Sequence, residues 1–296
     1  MNKVTLFAPV IAAILLSAAP ISVLAMDGRE LAQKVDENSK LTTESAFNRF
    51  KLSTCKYGVK DKKLKCVEKP RVKLVESVQM NTGKNKEDTK SLAILLEPAS
   101  ERGIGMLSYI YDDSDRDNET WLYLSALGKV KRIASGNSDE ESEPASLFGS
   151  EITTEDQETG KLDEYTYKIL KQDTYKDRPV YILETTPTPE RAKKSRYAKT
   201  ISWIDADRLI VLKAQMYDKR GKAIKRIQMN KVEFINDVWM PRSMTVMNLV
   251  TSRLTNMSLD AVSFGVEIDE SFLTQRALTD QAFRESNLNA LRSQTQ

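Results

Sequence analysis

The sequence predicts a mainly β protein: one curved antiparallel sheet with an apolar concave face. Short runs rich in β-branched and aromatic residues recur along the chain, separated by turn residues at the spacing of a meander. Some of these runs alternate in character. Ile210, Leu212, Ala214 and Met216 fall on one side, and Val211, Lys213, Gln215 and Tyr217 on the other. Helical patterns occur only near the two ends.

The N-terminus comes first. Lys3 supplies one positive charge, and an apolar run follows over residues 4–24, interrupted by Pro9, Ser17 and Pro20. Val23-Leu24-Ala25 offers a small-residue cleavage site, the three-part pattern of a secretory signal peptide. The two prolines and the lack of a flanking charge cluster argue against a membrane anchor. The expectation is a signal peptide over residues 1–25, cleaved near Ala25. Residues 26–296 then form one domain in the periplasm. No cysteine follows the cleavage site, so lipid attachment there is not available.

Asp27 with Glu30 three residues on resembles a capping box, and Leu31 and Val35 share a face of the helix it would start. Cys55 and Cys66 are the only cysteines, and Gly58 and the lysine-rich stretch between them supply turn chemistry. In an exported protein, two cysteines flanking a hairpin-like loop are expected to pair.

Strands are predicted over residues 73–80, 91–97, 105–111, 121–124, 165–170, 180–185, 200–204, 209–217, 223–230, 231–235, 243–250 and 256–264. Residues 217–222 form a hairpin turn, and the acidic stretch 138–146 reads as a loop. A second helical stretch, near residues 271–291, carries Phe272, Leu273, Leu278, Phe283, Leu288 and Leu291 as its apolar positions.

Forty-five basic and 42 acidic side chains nearly balance, which gives no reason to expect a nucleic-acid partner. The basic cluster over residues 191–199 reads as a solvated loop. No run after the leader is long enough to cross a membrane as a helix, so an integral membrane protein is not expected. Histidine is absent, which removes the Ser-His-Asp triad, the Cys-His pair and imidazole metal sites. Asp113 to Glu119 begins like a calcium loop, but Asn118 replaces its glycine and Leu124 its final glutamate. A polar turn fits better. Neither an enzyme, a metal nor a cofactor is expected.

Met216, Met229, Met240, Met244, Met247 and Met257 all fall in the C-terminal strands, near Trp203, Phe234 and Trp239. Methionine is pliable and suits surfaces that accept ligands of varied shape, and it also fills ordinary cores. Composition leaves both readings open.

Three segments are similar to the outer-membrane lipoprotein-sorting (LolA/LolB-like) proteins, in the branch associated with RND-type exporters. The first is Gly103-Ile104-Gly105-Met106-Leu107-Ser108-Tyr109-Ile110-Tyr111, leading through Glu119-Thr120-Trp121-Leu122-Tyr123-Leu124 to Ile133. The second runs from Phe148 through Glu155-Asp156, followed by Asp163-Glu164-Tyr165-Thr166-Tyr167-Lys168. The third is Tyr197 to Asp205, continuing through Trp239-Met240-Pro241-Arg242 to Phe272-Leu273-Thr274-Gln275-Arg276. Two departures stand out: Ser125 replaces a common proline, and Thr153-Thr154 replace a polar-aromatic pair.

The resemblance implies a half-open antiparallel β-barrel, apolar inside and partly closed by helices acting as lid or plug. It also implies a carrier for lipid acyl chains or lipoproteins, with an RND-type exporter as partner. The expected lid is a helix over residues 27–35 together with residues 146–156. The expected cavity residues are Trp203, Met216, Met229, Phe234, Met244, Val246 and Met257. Lys129, Lys131 and Arg132 would offer a basic edge to the exporter. A filled-barrel adaptor and, less favoured, an enzyme on the same fold are the alternatives.

Overall fold

The computed structural model describes residues 26–60, 63–113, 116–133, 145–157 and 161–294. The expected leader and most of the acidic loop lie outside the described residues, as do two positions of the calcium-like turn.

The strands are β1 (Ser45–Lys60), β2 (Lys63–Cys66), β3 (Arg71–Thr82), β4 (Asp88–Glu97), β5 (Gly105–Ile110), β6 (Glu119–Leu124) and β7 (Lys129–Ile133). The second half holds β8 (Tyr165–Tyr175), β9 (Arg178–Pro187), β10 (Lys199–Asp205), β11 (Val211–Tyr217), β12 (Ala223–Ile235), β13 (Val238–Asn248) and β14 (Arg253–Phe264). All 14 belong to one antiparallel sheet, in the order β7-β6-β5-β4-β3-β1-β14-β13-β12-β11-β10-β9-β8, with β2 paired to the end of β1. The two ends of that order do not pair, so the barrel is half open.

One long-range step organises this meander. β1 sits between β3 and β14, so the first strand joins the two halves of the chain. It escapes the strand pattern because lysine, arginine and polar residues fill its exposed positions, and its far end reads as a loop around the cysteines. That loop is itself a hairpin, with Val59 opposite Leu64 and Tyr57 opposite Cys66, closed by the Cys55–Cys66 disulfide. The turn after β11 forms as expected: Gly221, at a φ of +76°, donates its N–H to Asp218 O.

The helices are α1 (Gly28–Thr43), α2 (Thr154–Gln157), α3 (Pro189–Lys194), α4 (Gln275–Thr279) and α5 (Gln281–Ser293). Asp27 caps α1 by accepting the Glu30 N–H at 2.8 Å. The helix then crosses the concave side and touches β8, β13, β3 and β1. Leu31 and Ala32 bury against Leu183 and Ile204. Gly28 makes the crossing possible, since a Cβ there would stand 2.7 Å from Tyr167 O.

The C-terminal helices take the opposite face, which no lid reading anticipates. Phe272, Leu278, Leu288 and Leu291 pack on Phe47, Val78, Leu92 and Leu107, the outward residues of β1, β3, β4 and β5. Beneath them Glu76, fully buried, accepts hydrogen bonds from Arg49 at 2.5 Å and Arg292 at 2.5 Å. Burial alone would raise its pKa, but the bonds from Arg292 and Arg49 outweigh that and hold the carboxyl below its ordinary value. Apolar residues thus occur on both faces of this half of the sheet, Leu52, Val75, Leu95 and Met106 standing on the inner one.

Candidate functional site

The concave face and α1 enclose a cavity of about 650 Å³. Its apolar wall is a row of directly opposed residues: Met229 on β12, Met244 on β13 and Met257 on β14, the last opposite Leu52 of β1. Ile204, Ala214 and Ile227 extend it, and Ala32 and Val35 of α1 close it from above.

Of the seven residues expected in the cavity, Met229, Met244 and Met257 line it. Met216 and Val246 belong to the same inner-face cluster but are buried within it, behind the lining. Val246 stands between Ile227 and Thr255 on the neighbouring strands and is fully enclosed.

Trp203 and Phe234 do not reach the cavity. On β10 the inward residues are Ser202 and Ile204, so Trp203 points outward, where Lys213 Nζ sits 3.7 Å from its ring centre. Phe234 is 55% exposed near the tip of the β12–β13 hairpin, its ring packed on Trp239 at 5.0 Å.

One irregularity shifts the side-chain phase here. The β10–β11 register jumps so that Ile204 faces Val211 while Trp203 faces Lys213. The extra residue, Leu212, turns into an outer cluster with Ile182 and Ile201, and Val211 takes the inner face. On β12 the register with β13 runs unbroken past Lys231, at a φ of +52°, so one strand spans what the pattern reads as two. Trp239, Met240 and Pro241, opposite that segment, line the cavity, although the methionine pattern does not single them out as a group.

The segment over residues 145–157 forms the rest of the lid, with Leu147 and Ile152 facing the cavity. Two carboxylates fasten it. Asp156 takes Lys225 Nζ at 2.5 Å, Tyr197 OH at 2.8 Å and the Thr153 N–H at 2.8 Å. Glu155 accepts from Ser195 Oγ at 2.6 Å and the Arg196 N–H at 3.0 Å. Burial raises the Glu155 pKa, against these bonds, and burial with the Asp156 charge beside it raises that of Tyr197. A raised carboxyl beside a cavity invites an acid–base reading. Here the donors come from the lid segment itself and from β12 and the approach to β10, so both groups are committed as anchors.

Lys129, Lys131 and Arg132 are exposed on β7, a terminal strand of the sheet, and Arg132 pairs with Glu119 at 2.8 Å. Among the described residues, no three metal-ligating side chains gather into a site, and no helix is long and apolar enough to cross a membrane.

A family model described as "uncharacterized protein" matches residues 87–280, well over half of the chain. The chain belongs to that family. Its fold recurs in a DUF1329-family protein from Desulfovibrio piger, 24% identical, with a TM-score of 0.73 over 85% of this chain and 97% of that one. A Vibrio parahaemolyticus domain described as outer membrane lipoprotein-sorting is 22% identical, with a TM-score of 0.72 over 85% of this chain and 98% of that one. A LolA-superfamily protein from Nitrosomonas europaea is 14% identical, with a TM-score of 0.58 over 84% of this chain and 98% of that one. No curated protein matches the sequence. The family's fold is the LolA-like half-open barrel that the sequence resemblance implies.

Proposed function

We propose that this protein is a periplasmic carrier that holds a lipid acyl chain, free or attached to a polypeptide, against the methionine wall. The cavity carries this reading. Protein interiors close-pack and leave few voids larger than a water molecule. A space of 650 Å³ on the inner face falls within the roughly 300–1,000 Å³ of small-molecule sites. Each methylene moved from water into it contributes about 0.8 kcal/mol. A filled-barrel adaptor would need no such space. The lid segments α1 and 145–157 would open and reclose around the chain without covalent chemistry. The exposed basic strand β7 is the surface we assign to docking an RND-type exporter.

A fluorescent fatty-acid probe tests the reading. Wild-type protein should bind it, and Met244→Trp, which projects into the space, should displace it with little change in melting temperature. Val246→Trp is unsuitable as the plug, because overpacking an enclosed site costs about 1–3 kcal/mol by itself. Absence of probe binding to the wild type would sink the carrier reading.

A further inference from the structure

The cavity has a second wall. On β1, β3 and β4, Asn48, Ser77, Gln79 and Ser91 face inward in a contiguous polar patch, Asn48 opposite Ser77 and Gln79 opposite Ser91. All four are half-buried. Gln79 Nε2 donates to Thr42 O at 3.2 Å. Among the described residues, the Asn48 amide and the Ser77 and Ser91 hydroxyls bond to no protein atom. These groups are satisfied only by what fills the cavity. A bare hydrocarbon that displaced water from them would leave each one unpaired, which disfavours it.

The charge lining the cavity narrows the class further. Among the described residues, no lysine or arginine lines the cavity. The two carboxylates, Asp36 and Asp156, are already held by Lys40 at 3.2 Å and Lys225 at 2.5 Å. A carboxylate or phosphate carried inside would meet no cation and two acidic neighbours. An uncharged group that both donates and accepts hydrogen bonds meets amides and hydroxyls that do the same.

Building on the carrier reading, we infer that the preferred ligand is a neutral amphiphile. Its acyl chain lies along the methionine row, and a hydroxyl- or amide-bearing group is seated inside the cavity against Asn48, Ser77, Gln79 and Ser91. The polar end is thus bound within the barrel and not left at its rim.

The test is competition against a neutral fluorescent hydrophobic probe at pH 8, with monopalmitoylglycerol and palmitate as competitors of equal chain length. Monopalmitoylglycerol should displace the probe at about a tenfold lower concentration, the effect of one or two added hydrogen bonds. In Ser77→Val/Gln79→Leu that ratio should fall to within about threefold, with palmitate binding retained. Should the double variant fail to fold, Ser91→Ala reports on the same wall with a smaller decrease. Palmitate competing as well as the monoacylglycerol, or a ratio unmoved by the substitutions, overturns the inference while leaving the carrier intact. Failure of both competitors and the probe to bind removes the carrier reading, and this inference with it.

Discussion

The fastening of the lid offers the sharpest perturbation. Asp156 and Lys225 meet at 2.5 Å with side chains only 2% and 8% exposed. Removing one member of such a pair leaves the other charge enclosed and costs about 3–5 kcal/mol. Asp156→Ala also removes the acceptor of Tyr197 OH and of the Thr153 N–H, so the cost falls in that range or above it. The bonds lost tie residues 145–157 to the barrel, not barrel strand to barrel strand. The expected outcome is therefore local opening, and 3 kcal/mol corresponds to about a hundredfold larger open population. Hydrogen exchange reads this directly. The Leu147 and Thr154 amides, bonded to Ile152 O and Ala145 O, should exchange about a hundredfold faster, while the β1–β14 ladder stays protected. Lys225→Met should behave similarly, and Asp156→Ala/Lys225→Met should recover part of the loss, because no buried charge remains. Uniform acceleration across the sheet, or fully additive losses in the double variant, would refute the assignment of this pair to the lid.

Gly28→Ala should lower stability by about 1–3 kcal/mol in urea melts, because its Cβ would meet Tyr167 O at 2.7 Å and push α1 off β8. An unchanged midpoint would show that the helix start tolerates a shift. Glu76 titrates below its ordinary value of 4.5 in the folded state, so the unfolded chain binds more protons in that range. Its contribution is complete above pH 4.5 and is lost as the pH falls through the lowered value. Glu76→Gln should flatten urea midpoints measured on that acid side, and a wild-type slope in the variant would assign the acid limb elsewhere. Reversing Lys129 and Lys131 to glutamate should weaken exporter capture in a pull-down without moving the melting temperature. Arg132→Glu is best added last, since it would place a second carboxylate beside Glu119.

The sheet was legible because its strands are rich in β-branched residues and punctuated by turns. β12 and β13 could be placed by pattern even where one was split and the other entered late. The faces were not. Alternation says which residues share a side, but on this sheet both sides carry apolar residues: α4 and α5 cover one, and the cavity opens on the other. Trp203 has the look of a lining residue and belongs to the outer cluster with Ile182 and Ile201. At Leu212 a single extra residue reverses the phase, and nothing in the residue types announces it. β7 was hidden by its lysines and by Gly128, which serves as the turn between β6 and β7. The polar wall drew no attention because Asn48, Ser77, Gln79 and Ser91 are far apart in sequence and adjacent only through the β1–β3–β4 register.

The methionine row has a chemical consequence of its own. Met229, Met244 and Met257 stand side by side on three strands and border open space. Their thioethers are reachable by small oxidants that close packing would exclude. Conversion to the sulfoxide replaces a soft apolar side chain with a polar, chiral one. Three such changes on adjacent strands would turn the apolar wall polar and leave an acyl chain without a dry surface. Peroxide exposure would thus silence the cavity while the sheet's backbone ladder stood, and methionine sulfoxide reductase treatment would restore it.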